Sequence, residues 1–160
     1  MPTRPTRRAF FRGLLATTAS TGLATPLHAQ ASGRVAGFDH VAVPMQNTDA
    51  MLAFYRALGF QMNETAGAVS VYIGDQMINF HRPQRWRDPS FTLRAPSAQP
   101  PCGDFCFVWE GTDAALRTLL AGAGAKIVDA GPRPGGRRKT GSSVYVRDPD
   151  GNLLEFMIYS

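Results

Sequence analysis

Residues 38–60, FDHVAVPMQNTDAMLAFYRALGF, have the pattern of one β-strand followed by one helix. The segment Phe38–Val43 alternates around its two valines, as a strand with one buried face does. Thr48 is a suitable N-cap, apolar residues follow it at helical spacing, and Gly59 predicts the end of the helix. This strand–helix unit decides the fold because the chain contains it twice.

The second copy begins about 64 residues later. Asp104–Trp109 alternates like the first strand, and Thr112 predicts an N-capped helix that ends at Gly122 or Gly124. Two short motifs also recur: Thr-Asp-Ala at residues 48–50 and 112–114, and Ser-Val-Tyr at residues 70–72 and 143–145. Each half therefore reads as βαβββ. The other predicted strands are Phe60–Glu64, Ala68–Ile73, Met77–His81, Lys126–Asp129, Ser143–Arg147 and Leu153–Tyr159, and the chemistry of Asp148-Pro149-Asp150-Gly151 predicts a type I turn before the last one.

These patterns predict an α+β fold in which two βαβββ modules form a cup-shaped mixed β-sheet with the helices outside. Module one covers about residues 35–81 and module two about 102–160. The proline-rich linker at about 82–101 is expected to act as a stiff spacer. The concave side of such a cup is a natural ligand site.

The net charge of +5 comes mostly from the N-terminal segment. Residues 1–31 contain four of the 17 basic residues and no acidic residue, so the remainder carries 13 basic against 12 acidic residues. A basic start, a mildly apolar stretch and Ala29-Gln30-Ala31 predict a cleaved signal peptide and a mature domain at 32–160. Thr6–Phe11 resembles a twin-arginine export signal, which implies a periplasmic or secreted protein. The alternative, an uncleaved membrane anchor, is disfavoured because about 15 residues are short for a span.

The near-neutral mature chain argues against a nucleic-acid partner. The feature that would best fit a nucleic-acid partner is a basic and aromatic cluster in the linker, formed by Arg82, Arg85, Trp86 and Arg87. We prefer a capping role or a dimer contact for this cluster. The only cysteines, Cys102 and Cys106, would be about 13 Å apart on one strand, too far for a disulfide. A C-x3-C pair is also weak evidence for zinc, so two buried or half-buried thiols are expected.

Strand alternation predicts which side chains enter the cup. Alignment of the two Thr-Asp-Ala motifs places His40 opposite Asp104, and alignment of the two Ser-Val-Tyr motifs places His81 opposite Glu155. Two imidazoles and a carboxylate are suited to Fe(II), Mn, Ni, Co or Zn. We therefore predict a divalent metal held by His40, His81 and Glu155, with Asp104 as a fourth ligand or as an acceptor that orients a histidine.

Four motifs of residues 35–160 together form a known family pattern: Phe38-Asp39-His40-Val41-Ala42-Val43, Phe54-Tyr55-Arg56-Ala57-Leu58-Gly59-Phe60, Ile78-Asn79-Phe80-His81 and residues 144–155, VYVRDPDGNLLE. On these motifs, nearly all of residues 35–160 resembles the vicinal oxygen chelate superfamily of glyoxalase I, fosfomycin-resistance thiol transferases, extradiol dioxygenases and bleomycin-resistance proteins. The overall pattern is most similar to a small virulence-type or glyoxalase-domain-containing group.

The resemblance implies a metal-dependent enzyme for a small oxygen-chelating substrate, with glyoxalase-like lyase or isomerase chemistry or thiol-transferase-like chemistry. Fosfomycin-resistance enzymes have His, His and Glu at the positions that match His40, His81 and Glu155, whereas glyoxalase I has four ligands and Asp104 would be an unusual one. An extradiol-type dioxygenase is a weaker match. A non-catalytic protein that sequesters a ligand, like the bleomycin-resistance proteins, is the alternative from another class.

Three further side chains are predicted to face the cup as donors of hydrogen bonds or a proton: Tyr145, Tyr72 and Ser143. Arg137, Arg138 and Lys139 lie in a glycine-rich loop that could close over an anionic substrate, although a solvated basic loop is the preferred interpretation. The resemblance also implies a homodimer, in some relatives with the cup shared between chains. In that case His40 would come from one chain, and His81 with Glu155 from the other.

Overall fold

The computed structural model describes residues 33–160, and the predicted export signal at residues 1–31 lies outside them. None of the helices in the described part of the chain has the length and apolarity needed to cross a membrane. The elements, in chain order, are β1 (His40–Pro44), α1 (Thr48–Ala57), β2 (Gln61–Glu64), β3 (Ala68–Ile73), β4 (Gln76–His81), α2 (Pro83–Trp86), β5 (Asp104–Val108), α3 (Asp113–Gly122), β6 (Ile127–Pro134), β7 (Thr140–Arg147) and β8 (Leu153–Ile158).

The strands form two four-stranded mixed sheets with the same topology. Their orders are β1-β4-β3-β2 and β5-β8-β7-β6, with β1 parallel to β4 and β5 parallel to β8. The other neighbouring pairs are antiparallel. The predicted α+β class and the two βαβββ modules are confirmed. β1 and β5 lie at the ends of these strand orders, so the first strand of each module is an edge strand.

The helix-facing sides of the two sheets contribute to one hydrophobic core. Phe80 of module one packs edge-on against Phe105 of module two at 6.2 Å between ring centroids, and Phe60 packs against Phe107 at 5.3 Å. Aromatic pairs at these distances contribute about 0.5–1.5 kcal/mol each beyond the area they bury. The modules are therefore joined through their interiors, and the opposite face of each sheet is turned away from this core. We call that opposite face the outer face.

The two long helices begin in different ways. In α3, the Thr112 hydroxyl accepts a hydrogen bond from the Ala115 N–H at 3.1 Å, which confirms the predicted cap. In α1, Thr48 is already the first helical residue, and Asn47 occupies the cap position without a side-chain cap bond. The prediction that Thr48 caps this helix is wrong. Gly59 follows the end of α1 with a φ of +82°, a conformation that favours glycine.

The linker and the cysteines also differ from the predictions. Instead of acting as a spacer, the linker folds onto module one: the Trp86 indole N–H donates to the Met45 carbonyl at 2.8 Å. Cys102 and Cys106 are both free, and both residues are exposed, although the Cys106 thiol itself is partly covered. Each lies at or beside β5, where an edge strand leaves one flank uncovered. The basic loop at residues 135–139 is the tight turn between β6 and β7.

Candidate functional site

His40 lies on the outer face of module one, where β1 begins. Its side chain is 46 % exposed, and its Nδ1 lies 2.6 Å from the Asp39 carboxylate. A carboxylate at that nitrogen favours the tautomer with the proton on Nδ1 and leaves the lone pair of Nε2 available in the neutral ring. Asp39 therefore orients the imidazole so that Nε2 could bind a metal. Sequence reasoning missed this role of Asp39, although its place next to His40 was a usable signal.

The ladder registers correct the predicted equivalence of His81 and Glu155. His40 pairs with Met77 in module one, and Asp104 pairs with Leu153 in module two, so His40 and Asp104 occupy matching positions as predicted. Two residues after Met77 and Leu153, Asn79 of β4 and Glu155 of β8 therefore occupy matching ladder positions. His81, two residues further along, matches Met157 instead.

The Ser-Val-Tyr motifs mislead because the two hairpins differ. In β3–β4, Ile73 pairs with Gln76 around a two-residue turn, whereas in β7–β8, Arg147 pairs with Leu153 around a five-residue loop. Since turn length sets register, the two motifs are displaced by two residues relative to the sheets. His40 and His81 are four ladder positions apart, about 13 Å along the strands.

His81 is largely enclosed at the far end of β4. It is 7 % exposed, and its ring makes an edge-on contact with Phe91 of the linker at 5.1 Å between centroids. Burial, followed by the positive charges of Arg85 and His40, lowers the pKa of His81. The ring is therefore neutral at neutral pH, the form in which an imidazole binds metals.

Glu155 lies on the outer face of module two between hydroxyl and thiol groups. The Ser143 hydroxyl donates to its carboxylate at 2.5 Å. Tyr145 and Cys106 are its direct neighbours on the two adjacent strands. The Cys106 residue is exposed as a whole, but partial burial of its thiol and the adjacent Glu155 raise the thiol pKa to about 12. Partial burial and Glu155 also raise the pKa of Tyr145.

The remaining predicted site residues are divided between the modules. Tyr72 is 40 % exposed in the same cross-strand row as His40, whereas Asp104 lies exposed at the start of β5. Arg137 and Lys139 of the basic loop lie about 5.2 Å from the ring of Tyr159, near the C-terminus. This loop stacks on its own module, in agreement with the preferred interpretation of a basic surface loop.

Within residues 33–160, no three His, Cys, Asp or Glu side chains lie close enough together to hold a metal ion. His40 and His81 belong to one sheet, and Asp104 and Glu155 belong to the other. A site shared between chains would therefore divide by module, with both histidines on one side. The expected arrangement, in which one chain supplies His40 and the other supplies both His81 and Glu155, does not match the sheet topology.

Comparison with known proteins agrees with this architecture. Residues 37–156 match the family model described as the Glyoxalase/Bleomycin resistance protein/Dioxygenase superfamily. The chain belongs to this superfamily. The match includes β1 and most of β8, the strands that carry His40 and Glu155.

Curated proteins and solved structures with different descriptions are similar to most of this chain. The chain is 29 % identical over 126 residues to the glyoxalase domain-containing protein RDO1 of Mycosarcoma maydis, covering 78 % of this chain and 69 % of that protein. It is 28 % identical over 127 residues to virulence protein STM3117 of Salmonella typhimurium, covering 76 % and 83 %. The crystal structure of STM3117 has a TM-score of 0.69 over 80 % of this chain and 100 % of that one, at 27 % identity. An integron cassette protein of V. cholerae also has a TM-score of 0.69, at 26 % identity, over 80 % and 98 %.

Proposed function

We propose that this superfamily member is a metal-dependent enzyme that acts on a small oxygen-chelating substrate, by glyoxalase-like lyase or isomerase chemistry or by thiol-transferase-like chemistry. The observation that carries the proposal is the Asp39–His40 pair. An imidazole held by a carboxylate on an exposed sheet face has its second nitrogen free for a ligand. A histidine with a purely structural role would more commonly be enclosed, with both nitrogens bonded.

The donor chemistry fits a divalent metal such as Fe(II), Mn, Ni, Co or Zn. The proposed ligands are His40, His81 and Glu155, with Asp104 as the fourth. The register makes Asn79 a competitor of His81, because Asn79 is the ladder counterpart of Glu155. When bound, the metal would supply Lewis-acid stabilisation of negative charge on substrate oxygens.

A homodimer would supply the donors that one chain keeps apart. We propose that the outer face of module one meets that of module two from a second copy of the chain. Edge strands β1 and β5 support this arrangement because their outer-face residues Ala42, Cys106 and Val108 are exposed. Val108 and Phe38, 42 % and 63 % exposed, provide apolar area for such a contact.

The chain's own hydroxyl groups have defined tasks in this proposal. Ser143 holds one carboxylate oxygen of Glu155 and so orients the carboxylate. Tyr145, the cross-strand neighbour of Glu155, is proposed as a second donor to the same carboxylate. Tyr72, exposed in the row of His40, is the side chain that we propose as a hydrogen-bond donor to bound substrate.

We also propose that residues 1–31 direct export by the twin-arginine route and are then removed. The adjacent arginines Arg7 and Arg8 and the acid-free composition of this segment support the proposal. Replacement of both arginines by lysine is expected to keep the protein in the cytoplasmic fraction. Mass spectrometry of the exported wild-type protein is expected to find Ser32 as the first residue.

Metal analysis of the purified protein tests the central proposal. Wild-type protein is expected to bind one metal per site and to migrate as a dimer, and H40A and E155A are expected to lose the metal. E110A removes an exposed carboxylate outside the site and is the matched control, with unchanged metal content. Comparison of H81A with N79A decides which of the two residues belongs to the metal centre.

The outcomes separate the proposed functions. Loss of metal in H40A and E155A but not in E110A supports the enzyme. Wild-type protein without metal, combined with unchanged small-molecule binding in H81A, would favour a non-catalytic sequestering protein instead. A metal-loaded monomer would contradict the shared site. If the metal is present, its identity directs a substrate screen of methylglyoxal–thiol adducts, fosfomycin and catechols.

A further inference from the structure

The linker covers one end of the outer face of module one and encloses a small cavity there. The cavity has a volume of about 80 Å³, and its polar wall residues are His81, Trp86 and Arg94. The remaining wall is small and apolar: Ala42, Pro44, Ala95 and Ala98. A space of this size holds a few non-hydrogen atoms, about the size of one functional group with a short carbon chain.

Arg94 is the charged residue of this wall, and its charge is uncompensated. Its guanidinium donates to the Pro96 carbonyl at 3.1 Å, a neutral acceptor. No ion pair found in residues 33–160 includes Arg94, Arg85 or Arg87. By contrast, Arg82 at the start of the linker is paired with Glu64. The half-buried Arg94 therefore keeps donors free for an anion.

The surroundings of the cavity increase this positive charge. The positive charge of Arg85 acts on His81. Arg85 lies with its guanidinium 4.1 Å from the centroid of Phe91, the ring that covers His81. Asp88, the acidic residue of the linker, accepts hydrogen bonds from the backbone N–H and the hydroxyl of Ser90. A bound anion would balance charge that the chain itself leaves unbalanced.

We propose that this cavity binds the carboxylate group of the substrate through Arg94, so that the substrate is a small carboxylate-bearing oxygen chelate. A guanidinium presents parallel donors that match a planar carboxylate. The mostly apolar wall and the single guanidinium fit a singly charged carboxylate with a short carbon chain better than a larger, doubly charged phosphate. His81 is both a wall residue of the cavity and one of the proposed metal ligands, so a carboxylate bound here would lie next to the proposed metal site. The term substrate rests on the proposed function; the carboxylate site itself does not require a metal.

Pyruvate is a suitable probe because it carries a carboxylate next to a carbonyl oxygen, and methyl pyruvate is its uncharged equivalent. The readout is the indole N–H signal of Trp86 in NMR spectra of the full-length protein kept metal-free with a chelator. Trp109, the second tryptophan, bonds the Thr112 carbonyl in module two and serves as an internal reference. The matched variants are R94Q and R87Q, since Arg87 is a linker arginine that lies outside the cavity wall and is bonded to the neutral Gln46. Arg87 also stacks on the Trp86 ring at 4.9 Å, so the variants are compared by the pyruvate concentration at half-saturation and not by the position of the signal.

We expect pyruvate to shift the Trp86 signal to saturation while that of Trp109 stays in place, and methyl pyruvate to have little effect. R94Q is expected to weaken pyruvate binding about tenfold or more, and R87Q less than twofold. The proposal is overturned if pyruvate leaves Trp86 unshifted, if methyl pyruvate binds equally well, or if R94Q binds like wild type. Equal losses in R94Q and R87Q would also overturn it, because they indicate a general charge effect. Since metal is absent throughout, failure of the metal centre leaves this result unaffected.

Discussion

The hydroxyl of Tyr55 in α1 donates a hydrogen bond to the Asp148 carboxylate, 3.1 Å away and 93 positions later in the chain. Both residues are at most 5 % exposed. Nearby, the Asp150 carboxylate accepts hydrogen bonds from the backbone N–H groups of Gln46 and Asn47 at 2.6 and 2.8 Å. The Asp-Pro-Asp-Gly turn of module two thus holds the helix of module one, and the two modules depend on each other for stability.

Replacement of Tyr55 by phenylalanine is expected to lower the free energy of unfolding by about 1–3 kcal/mol, because it removes a donor from a buried carboxylate. The loss should fall towards the lower end, since Asn152 also donates to Asp148. Urea unfolding at pH 7 measures it. Y72F removes an exposed hydroxyl and is expected to change stability by less than about 0.5 kcal/mol. An equal effect of the two substitutions would contradict the role of the buried bond.

Tyr55 is also expected to make the free energy of unfolding depend on pH. Burial, and then the charge of Asp148, raise the pKa of Tyr55 well above its ordinary value of 10. The unfolded chain therefore loses this proton near pH 10, whereas the folded protein keeps it to higher pH. The stability due to Tyr55 is complete below pH 10 and decreases by about 1.4 kcal/mol per pH unit above it. Unfolding of wild type and Y55F between pH 8 and 11 should show a shrinking difference, and a constant difference would refute the assignment.

The helix starts give a second stability prediction. T112A removes the cap of α3 and is expected to cost about 1 kcal/mol. T48A removes no cap bond and is expected to cost less than about 0.5 kcal/mol. D150A should cost more than T48A, because it frees two backbone N–H groups that the carboxylate binds before α1. Thermal and urea unfolding of the three variants at pH 7 would test this order, and a larger effect of T48A than of D150A would reverse the interpretation.

Asp39 provides a prediction for the proposed metal centre. D39N keeps the size of the side chain but weakens the acceptor for the His40 Nδ1 proton. Loss of such a partner typically lowers metal affinity about 10- to 100-fold, which competition with a chromogenic chelator would measure. D75N, in the exposed β3–β4 turn, is the control and should leave affinity unchanged. Wild-type affinity in D39N would show that the Asp39–His40 contact has no bearing on metal binding.

The sequence predicted the repeated βαβββ pattern because the strand and helix signals are local. Alternation in Phe38–Val43 and the helical spacing after Thr48 depend on neighbouring residues alone. The match of His40 with Asp104 also followed from sequence, because the strand-to-helix connections of the two modules have equal lengths. The match of His81 with Glu155 was wrong, because the two hairpin turns differ in length and the register depends on pairing between strands.

Cap and linker predictions failed for a related reason. Thr48 has a suitable side chain for an N-cap, yet the backbone groups that precede α1 are bound by Asp150, about a hundred residues away. The linker has the composition of a spacer, but Trp86 and Phe91 find apolar surface and an acceptor on module one. The local sequence around a residue does not predict where such distant partners lie.

The sequence by itself determined the two modules, their helices and strands, and the side chains that can face outwards, because each follows from periodicity and turn chemistry within a few residues. Only the tertiary structure decided that the module interiors share one core, that His40 and His81 stand apart from Glu155, and that the linker encloses Arg94 beside His81. These relationships depend on long-range packing and strand register. They are the reason that the predicted histidine and carboxylate ligands of one chain lie on different sheets.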